Sequence, residues 1–86
     1  MENNKHFVYI LKCKDETLYT GYTTNIKKRL KMHEKGKGAK YTRGRGPFKV
    51  VYTEKLGSKS AALQREFEIK KLCRKDKLRL IQAQKG

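Results

Sequence analysis

Five residues have side chains that could act together on a phosphate ester: Tyr9, Tyr19, Arg29, His33 and Glu66. An arginine guanidinium matches the geometry of a phosphate group, and a glutamate can hold a magnesium ion whose other ligands are phosphate oxygens and water. Histidine exchanges protons near neutral pH, whereas a tyrosine, with an ordinary pKa of about 10, needs cationic neighbours before it acts as a base. Taken singly, each residue has a more ordinary explanation in packing or surface charge. Their combination is what indicates chemistry.

Glu66 is the residue that fits its surroundings least well. On a helical wheel it falls inside an apolar arc, between Cys73 and Leu63, whereas Glu68 points to the opposite, polar side. A carboxylate turned toward the protein is costly unless it is paired or binds a cation. Lys70 lies four residues further on, and spacing alone favours an ion pair with it. A bound divalent metal ion is the alternative.

The charge balance points to a polyanionic partner. The 86 residues include 23 lysines and arginines but only 8 aspartates and glutamates, which gives a formal net charge of +15. A small chain with this charge repels itself unless it meets a polyanion, and nucleic acid is the partner that arginines and five tyrosines suit best. The simpler alternative is a lysine-rich surface that serves solubility.

Several other classes of protein are disfavoured. The two cysteines, Cys13 and Cys73, lack the partners of a zinc site or a disulfide framework, so we expect free thiols in a reducing compartment. No apolar run approaches the length of a membrane span, and the N-terminus does not resemble a signal peptide. The expectation is a soluble, cytoplasmic, monomeric chain of one domain spanning residues 1–86.

The elements that must position the five residues begin with a β-hairpin. Two short apolar runs, at 6–13 and 17–22, flank a polar break, and a third strand is expected at 48–54. Together they predict a small three-stranded antiparallel sheet. Tyr9 and Tyr19 share a face of this sheet only if the register sets them opposite each other or an even number of residues apart.

Helices are expected around the third strand, which gives an α+β fold of order β-β-α-β-α-(α). The first helix, at 25–35, has a cap at Thr23, Thr24 or Asn25 and turns Arg29 and His33 toward the protein body. Its lysines face water or phosphate, and these are Lys27, Lys28 and Lys31.

The second helix is predicted to begin at a cap, Ser58 or Ser60, and to run to about residue 72 or 74, with Ala62, Ile69 and Cys73 on its apolar face. Asp76 could cap a last short helix. Leu78 and Ile81 would then reach back to the core, and residues 82–86 would form a loose tail.

Residues 35–47 are predicted to form a flexible loop, because they are rich in glycine and basic residues and nearly free of aliphatic side chains. A plain linker does not need a tyrosine among basic residues, so we expect the loop to contact nucleic acid. The candidate contacts are Lys37, Lys40, Tyr41, Arg43 and Arg45.

The order and spacing of these residues resemble the GIY-YIG nuclease superfamily, and especially its short, single-domain, largely uncharacterised bacterial members. Val8-Tyr9-Ile10 and Tyr19-Thr20-Gly21 stand where the family has its two signature tripeptides, with Val8 and Thr20 as departures. The match covers about residues 6–75 and continues through Arg29, His33, Tyr41 and Glu66.

The resemblance implies a metal-dependent endonuclease that hydrolyses DNA phosphodiesters, with a possible place in repair or recombination. Glu66 would hold a single Mg²⁺ or Mn²⁺ ion, and Arg29 would neutralise charge on the phosphate. Tyr19 would activate water as general base with help from Tyr9, and Gly21 would leave room beside the metal and substrate.

Two alternatives stay open. Tyr22 stands where some relatives carry a lysine near the nucleophile, which leaves His33 a second candidate for the general base. The other alternative is a non-catalytic nucleic-acid-binding module, which would need the lysines and the loop but neither Glu66 nor Arg29. In either case these 86 residues would recognise the structure of DNA more than its sequence.

Overall fold

The computed structural model describes residues 5–37, 44 and 46–85. It confirms the predicted α+β fold, with a three-stranded antiparallel sheet of order β2-β1-β3. In chain order the elements are β1 (His6–Lys12), β2 (Leu18–Thr23), α1 (Ile26–Glu34), β3 (Lys49–Leu56), α2 (Lys59–Lys70) and α3 (Arg74–Lys85). Within the described ranges, no helix is long and apolar enough to cross a membrane.

The central strand β1 is buried on both faces of the sheet, because helices cover both. On one face Tyr9 and Leu11 pack with α1 through Ile26 and Leu30. On the other face lie the buried side chains that β1 and β3 share with α2 and α3: Val8, Ile10, Tyr52, Ala62, Ile69 and Ile81. The alternation of strand side chains thus separates two small cores.

The hairpin register places the two tyrosines on one face, as predicted. Tyr9 lies opposite Gly21, and Tyr19 lies opposite Leu11, so the tyrosines are offset by two residues. Val8 and Thr20, the two departures from the family signature, are buried and belong to the opposite face. Both departures therefore leave the face of the two tyrosines unchanged.

Helix α1 has well-formed ends that fix where its side chains point. Asn25 is the N-cap, and its side chain accepts a hydrogen bond of 3.0 Å from the Lys28 amide. At the other end the amides of Gly36 and Lys37 donate to the carbonyls of His33 and Met32. This is a Schellman motif, and Gly36 supplies the positive φ of 77° that it requires.

The expected extent of the second helix was wrong at its C-terminal end. Ser58 is the N-cap, with its hydroxyl accepting from the Ala61 amide, but α2 ends at Lys70. Cys73 therefore lies beyond the helix and is exposed, and it is not part of the apolar face. Cys13 and Cys73 are both free, as expected.

The last helix begins earlier and extends further than predicted. It begins at Arg74, so Asp76 lies in its first turn and is not its cap, and Ile81 reaches the core while Leu78 remains exposed. Gly86 lies outside the described residues, and the loose tail expected at 82–86 was wrong for residues 82–85, which belong to α3. Gln84 explains this, because its side chain exchanges hydrogen bonds of 3.1 and 2.5 Å with the backbone of Thr53 on the edge strand β3.

Candidate active site

Tyr9 is at the centre of the candidate site. Its side chain is only 2% exposed, and its hydroxyl lies 3.0 Å from Nε2 of His33 on α1. A β-carbon added at Gly21 would lie 2.5 Å from the Tyr9 hydroxyl oxygen and 3.0 Å from the Tyr19 ring. Gly21 therefore allows the two tyrosines to approach the backbone closely.

Burial sets the protonation states of this pair. It raises the pKa of Tyr9, more strongly than a hydrogen bond from Arg29 lowers it. Burial also lowers the pKa of His33, and the nearby Arg29 charge adds to that effect. Tyr9 is thus protonated and His33 is neutral at pH 7, so the Tyr9 hydroxyl shares a neutral hydrogen bond with Nε2 of His33 while its oxygen accepts from Arg29.

Tyr19 is the more accessible of the two tyrosines. Its ring centroid lies 5.4 Å from that of His33 and 6.4 Å from that of Tyr9. It is half-buried, whereas Tyr9 and His33 are almost fully enclosed. Of these three rings, Tyr19 is the one that a water molecule or a substrate can reach.

Arg29 presents a donor that the described part of the protein does not satisfy. Its guanidinium is half-buried, and its Nε atom is buried without a hydrogen-bond partner among the described residues. Leaving such a group unpaired costs about 1–3 kcal/mol, or more when it is charged. A phosphate oxygen is a suitable partner for this fork of donors.

Glu66 makes the ion pair that its helical spacing favours. Its carboxylate is 18% exposed and lies 3.2 Å from Nζ of Lys70, so the ion pair expected from the helical spacing is present. Its charge also contributes to the raised pKa of Tyr9, although Glu66 is on α2 and Tyr9 on β1. The carboxylate therefore lies within electrostatic range of the tyrosines.

The donor set at Glu66 suits magnesium better than a softer metal. Within residues 5–37, 44 and 46–85, no group of three or more His, Cys, Asp or Glu side chains could hold a metal ion. A metal at Glu66 would have one protein carboxylate and would take its remaining ligands from water and phosphate. Magnesium commonly binds in this way.

The candidate nucleic-acid contacts are only partly described. Lys27, Lys28, Lys31 and Lys37 are exposed, as expected for side chains that meet phosphate. A groove of about 530 Å³ beside the N-terminus of α1 adds Lys5 and His6 to Lys28, and sequence reasoning missed it. The other predicted loop contacts, Lys40, Tyr41, Arg43 and Arg45, lie outside the described residues.

Phe48 is a second residue that sequence reasoning missed. It is buried and directly precedes β3 in the chain, and its ring centroid lies 5.9 Å from that of His33. Its apolar side chain directly after Pro47 was the available signal, but it indicated only the beginning of a strand. Phe48 helps to enclose His33 and so contributes to the lowered pKa of that histidine.

The neutral state of buried His33 predicts a loss of stability in mild acid. Its pKa in the folded protein is below the ordinary value of about 6.5, so the unfolded chain binds the proton more readily. The folded state is therefore fully stabilised above about pH 6.5 and loses stability as the pH falls toward the folded-state pKa. The free energy of unfolding, measured in urea at about pH 7.5 and about pH 5, should fall more for the wild type than for a His33→Gln variant. Equal falls would show that His33 is not held neutral.

Known proteins match this sequence over nearly the whole chain. Residues 5–79 match the GIY-YIG catalytic domain. The UPF0213 protein OB0043 of Oceanobacillus iheyensis is 60% identical over 82 residues, which is 95% of each chain. The UPF0213 protein NP_0776A of Natronomonas pharaonis is 59% identical over 81 residues, covering 94% of this chain and 95% of the relative.

Two solution NMR structures have the same fold. The UPF0213 protein BH0048 from Bacillus halodurans superposes with a TM-score of 0.62 at 53% identity, over 94% of this chain and 86% of the other. The protein EF2693 from E. faecalis gives a TM-score of 0.64 at 43% identity, over 96% and 90%. With the signature tyrosines on one face of the sheet and these matches along the chain, the protein belongs to the GIY-YIG family.

Proposed function

We propose that this protein is a metal-dependent endonuclease that hydrolyses phosphodiester bonds in DNA. The observation that supports this proposal most directly is the surroundings of the Tyr9 hydroxyl. It is hydrogen-bonded to His33 and Arg29, and the charges of Tyr19 and Glu66 act on it. A site in which residues of three elements act on one phenol is more than a small core requires.

The described residues divide the chemistry between them. Arg29 binds the non-bridging oxygens of the phosphate and neutralises the charge that develops there as water attacks phosphorus. Tyr19, being accessible, is the candidate that would accept the proton of the attacking water, which it can do only as a phenolate. When bound at Glu66, a magnesium ion would supply polarisation of the phosphate and stabilisation of the leaving oxygen.

Tyr9 and His33 act as positioning residues in this proposal. Both are enclosed, and Nε2 of His33 is already hydrogen-bonded to the Tyr9 hydroxyl. His33 is therefore the weaker candidate for the general base. Tyr22 lies on the face of β2 opposite to Tyr19, with its hydroxyl 3.0 Å from Nδ1 of His6.

A non-catalytic nucleic-acid-binding module remains the second candidate, and one observation favours it. Glu66 already has a cationic partner in Lys70, so its inward position does not by itself require a metal ion. Such a module would depend on the exposed lysines and would tolerate the loss of Glu66.

The deciding experiment compares cleavage by the wild type, Glu66→Gln and Glu68→Gln. Each protein is incubated with single-stranded, nicked, flapped and branched DNA in magnesium, manganese or chelator. We expect metal-dependent cleavage that is lost in Glu66→Gln and kept in Glu68→Gln, because Glu68 pairs with Arg65 on another side of α2. Tight binding without cleavage, equal in all three proteins, would instead support the binding module.

The Lys70 ion pair predicts a competition that can be measured without DNA. A metal ion at Glu66 must displace the Lys70 ammonium, so Lys70→Gln should bind Mn²⁺ severalfold more tightly than the wild type in an EPR titration. Lys71→Gln is the matched control, because it removes the same charge one residue away, from an ammonium that lies over the Phe67 ring. Equal affinities in the two variants would contradict direct competition.

A further inference from the structure

The outer face of α2 carries an uncovered apolar pair next to the candidate metal ligand. Phe67 is 59% exposed and Leu63, one turn earlier, is 43% exposed. At 100° per residue, Leu63 lies between Glu66 and Phe67 around the helix axis. The apolar pair is therefore adjacent to Glu66 on the surface of α2.

Lysines surround this pair. Lys59 and Lys70 fall on the same helical face as Leu63, and the Nζ atom of Lys71 lies 4.4 Å from the centroid of the Phe67 ring. All three lysines are exposed. An exposed aromatic ring with one ammonium over it and further lysines on the same helix complements a ligand that has both a flat apolar face and negative charges.

We propose that Phe67 is a stacking platform for a nucleobase of the bound DNA, with Leu63 supporting the base and the lysines holding the flanking phosphates. This inference rests on the proposed function, because it places the stacked nucleotide beside the phosphate at Glu66. A base inside a continuous duplex has both faces covered by its neighbours. The platform therefore takes a base that is unpaired or lies at the end of a stack.

The pairing of Lys71 with Phe67 fits this use. In the free protein the ammonium covers the ring, and an exposed cation–π contact of this kind is weak, about 0.5–1 kcal/mol. An arriving nucleotide offers the ring a base and offers the ammonium a phosphate. Both partners exchange one weak contact for a stronger one.

A tryptophan at position 67 tests the platform directly. The sequence has no tryptophan, so Phe67→Trp introduces a single tryptophan, which can be excited selectively in the presence of the five tyrosines. In chelator, where a metal-dependent nuclease would not cleave, a single-stranded oligonucleotide should quench its fluorescence, and an abasic strand of equal length should bind without quenching. Leu78→Trp, on the exposed surface of α3, is the matched control and should respond to neither.

Affinity measurements on proteins without tryptophan test the proposal if Phe67→Trp does not fold. Phe67→Ala should bind the oligonucleotide about tenfold more weakly than the wild type, and Phe67→Tyr should bind as well as the wild type. Equal affinity in all three proteins, or equal quenching by normal and abasic strands, would overturn stacking and leave the apolar pair as a surface for a protein partner. Wild-type protein that binds no oligonucleotide would overturn it as well.

The outcome separates this inference from the proposed function. Wild-type cleavage without quenching at position 67 would remove the platform and keep the nuclease. Quenching without cleavage in magnesium would keep the platform and support the binding module.

Discussion

Replacing Arg29 with lysine should lower the rate of DNA cleavage at saturating substrate about 100-fold, the loss typical when one donor to a developing oxyanion is removed. DNA affinity should stay within a few-fold of the wild-type value. Lysine keeps the positive charge but loses the Nε donor, which in the described structure is buried and has no protein partner. It also loses the planar fork of donors that serves the phosphate and Tyr9 together.

The matched control for Arg29→Lys is Arg79→Lys. Arg79 lies on the exposed surface of α3 and pairs only loosely with Asp76, at 4.0 Å, so the same change there should leave both rate and affinity unaltered. Single-turnover cleavage and anisotropy titrations in chelator give the two quantities separately. If Arg29→Lys weakened binding as much as cleavage, Arg29 would be a general phosphate contact and the proposed role would be wrong.

The hairpin and its tyrosine pair could be predicted from sequence because both depend on local rules. Strand alternation sets which residues share a face, and the polar break limits the register to a few possibilities. The same local reasoning gave the inward turn of Arg29 and His33, since a capped helix of nine residues keeps its 100° spacing.

The approach of Glu66 to the tyrosines could not be predicted in this way. A helical wheel indicates which side of α2 faces the protein, but contacts with other elements fix how the helix is set against the sheet. Here Arg65 binds Glu54 of β3 at 2.9 Å, and Tyr52 donates to the same carboxylate at 2.8 Å. The Arg65–Glu54 contact links α2 to the edge strand β3, between residues 11 positions apart in the chain, and Tyr52 holds the Glu54 carboxylate in place from within β3.

The errors at the C-terminus have the same origin. A helical wheel puts Cys73 on the apolar face of α2 because it assumes that the helix continues, but α2 ends three residues earlier, at Lys70. The tail at 82–86 looked loose because its sequence is polar. One of its polar residues, Gln84, instead binds the backbone of Thr53 on the side of β3 that has no neighbouring strand in the described sheet.

Substituting Gly21 with alanine should destabilise the fold and disrupt the candidate site together. The new β-carbon would lie 2.5 Å from the Tyr9 hydroxyl oxygen and 2.7 Å from its ring carbon Cζ, and Tyr9 has no room to retreat because it is buried on all sides. We expect the free energy of unfolding in urea to fall by about 1–3 kcal/mol, the usual cost of overpacking a core. The Tyr9–His33 hydrogen bond should be lost with it.

Gly57→Ala is the matched control, since a β-carbon there meets nothing within 4 Å. Its stability should stay within about 0.5 kcal/mol of the wild type.

A second substitution, Tyr9→Phe, separates packing from chemistry. It removes the hydroxyl that collides with the new methyl group. The loss of unfolding free energy in the double variant should therefore be smaller than the sum of the losses in Gly21→Ala and Tyr9→Phe. Cleavage should not recover, because the hydroxyl that links His33 to Arg29 is absent. Additive effects on stability would show that the two residues do not compete for the same space, and full recovery of cleavage would show that the Tyr9 hydroxyl has no part in the reaction.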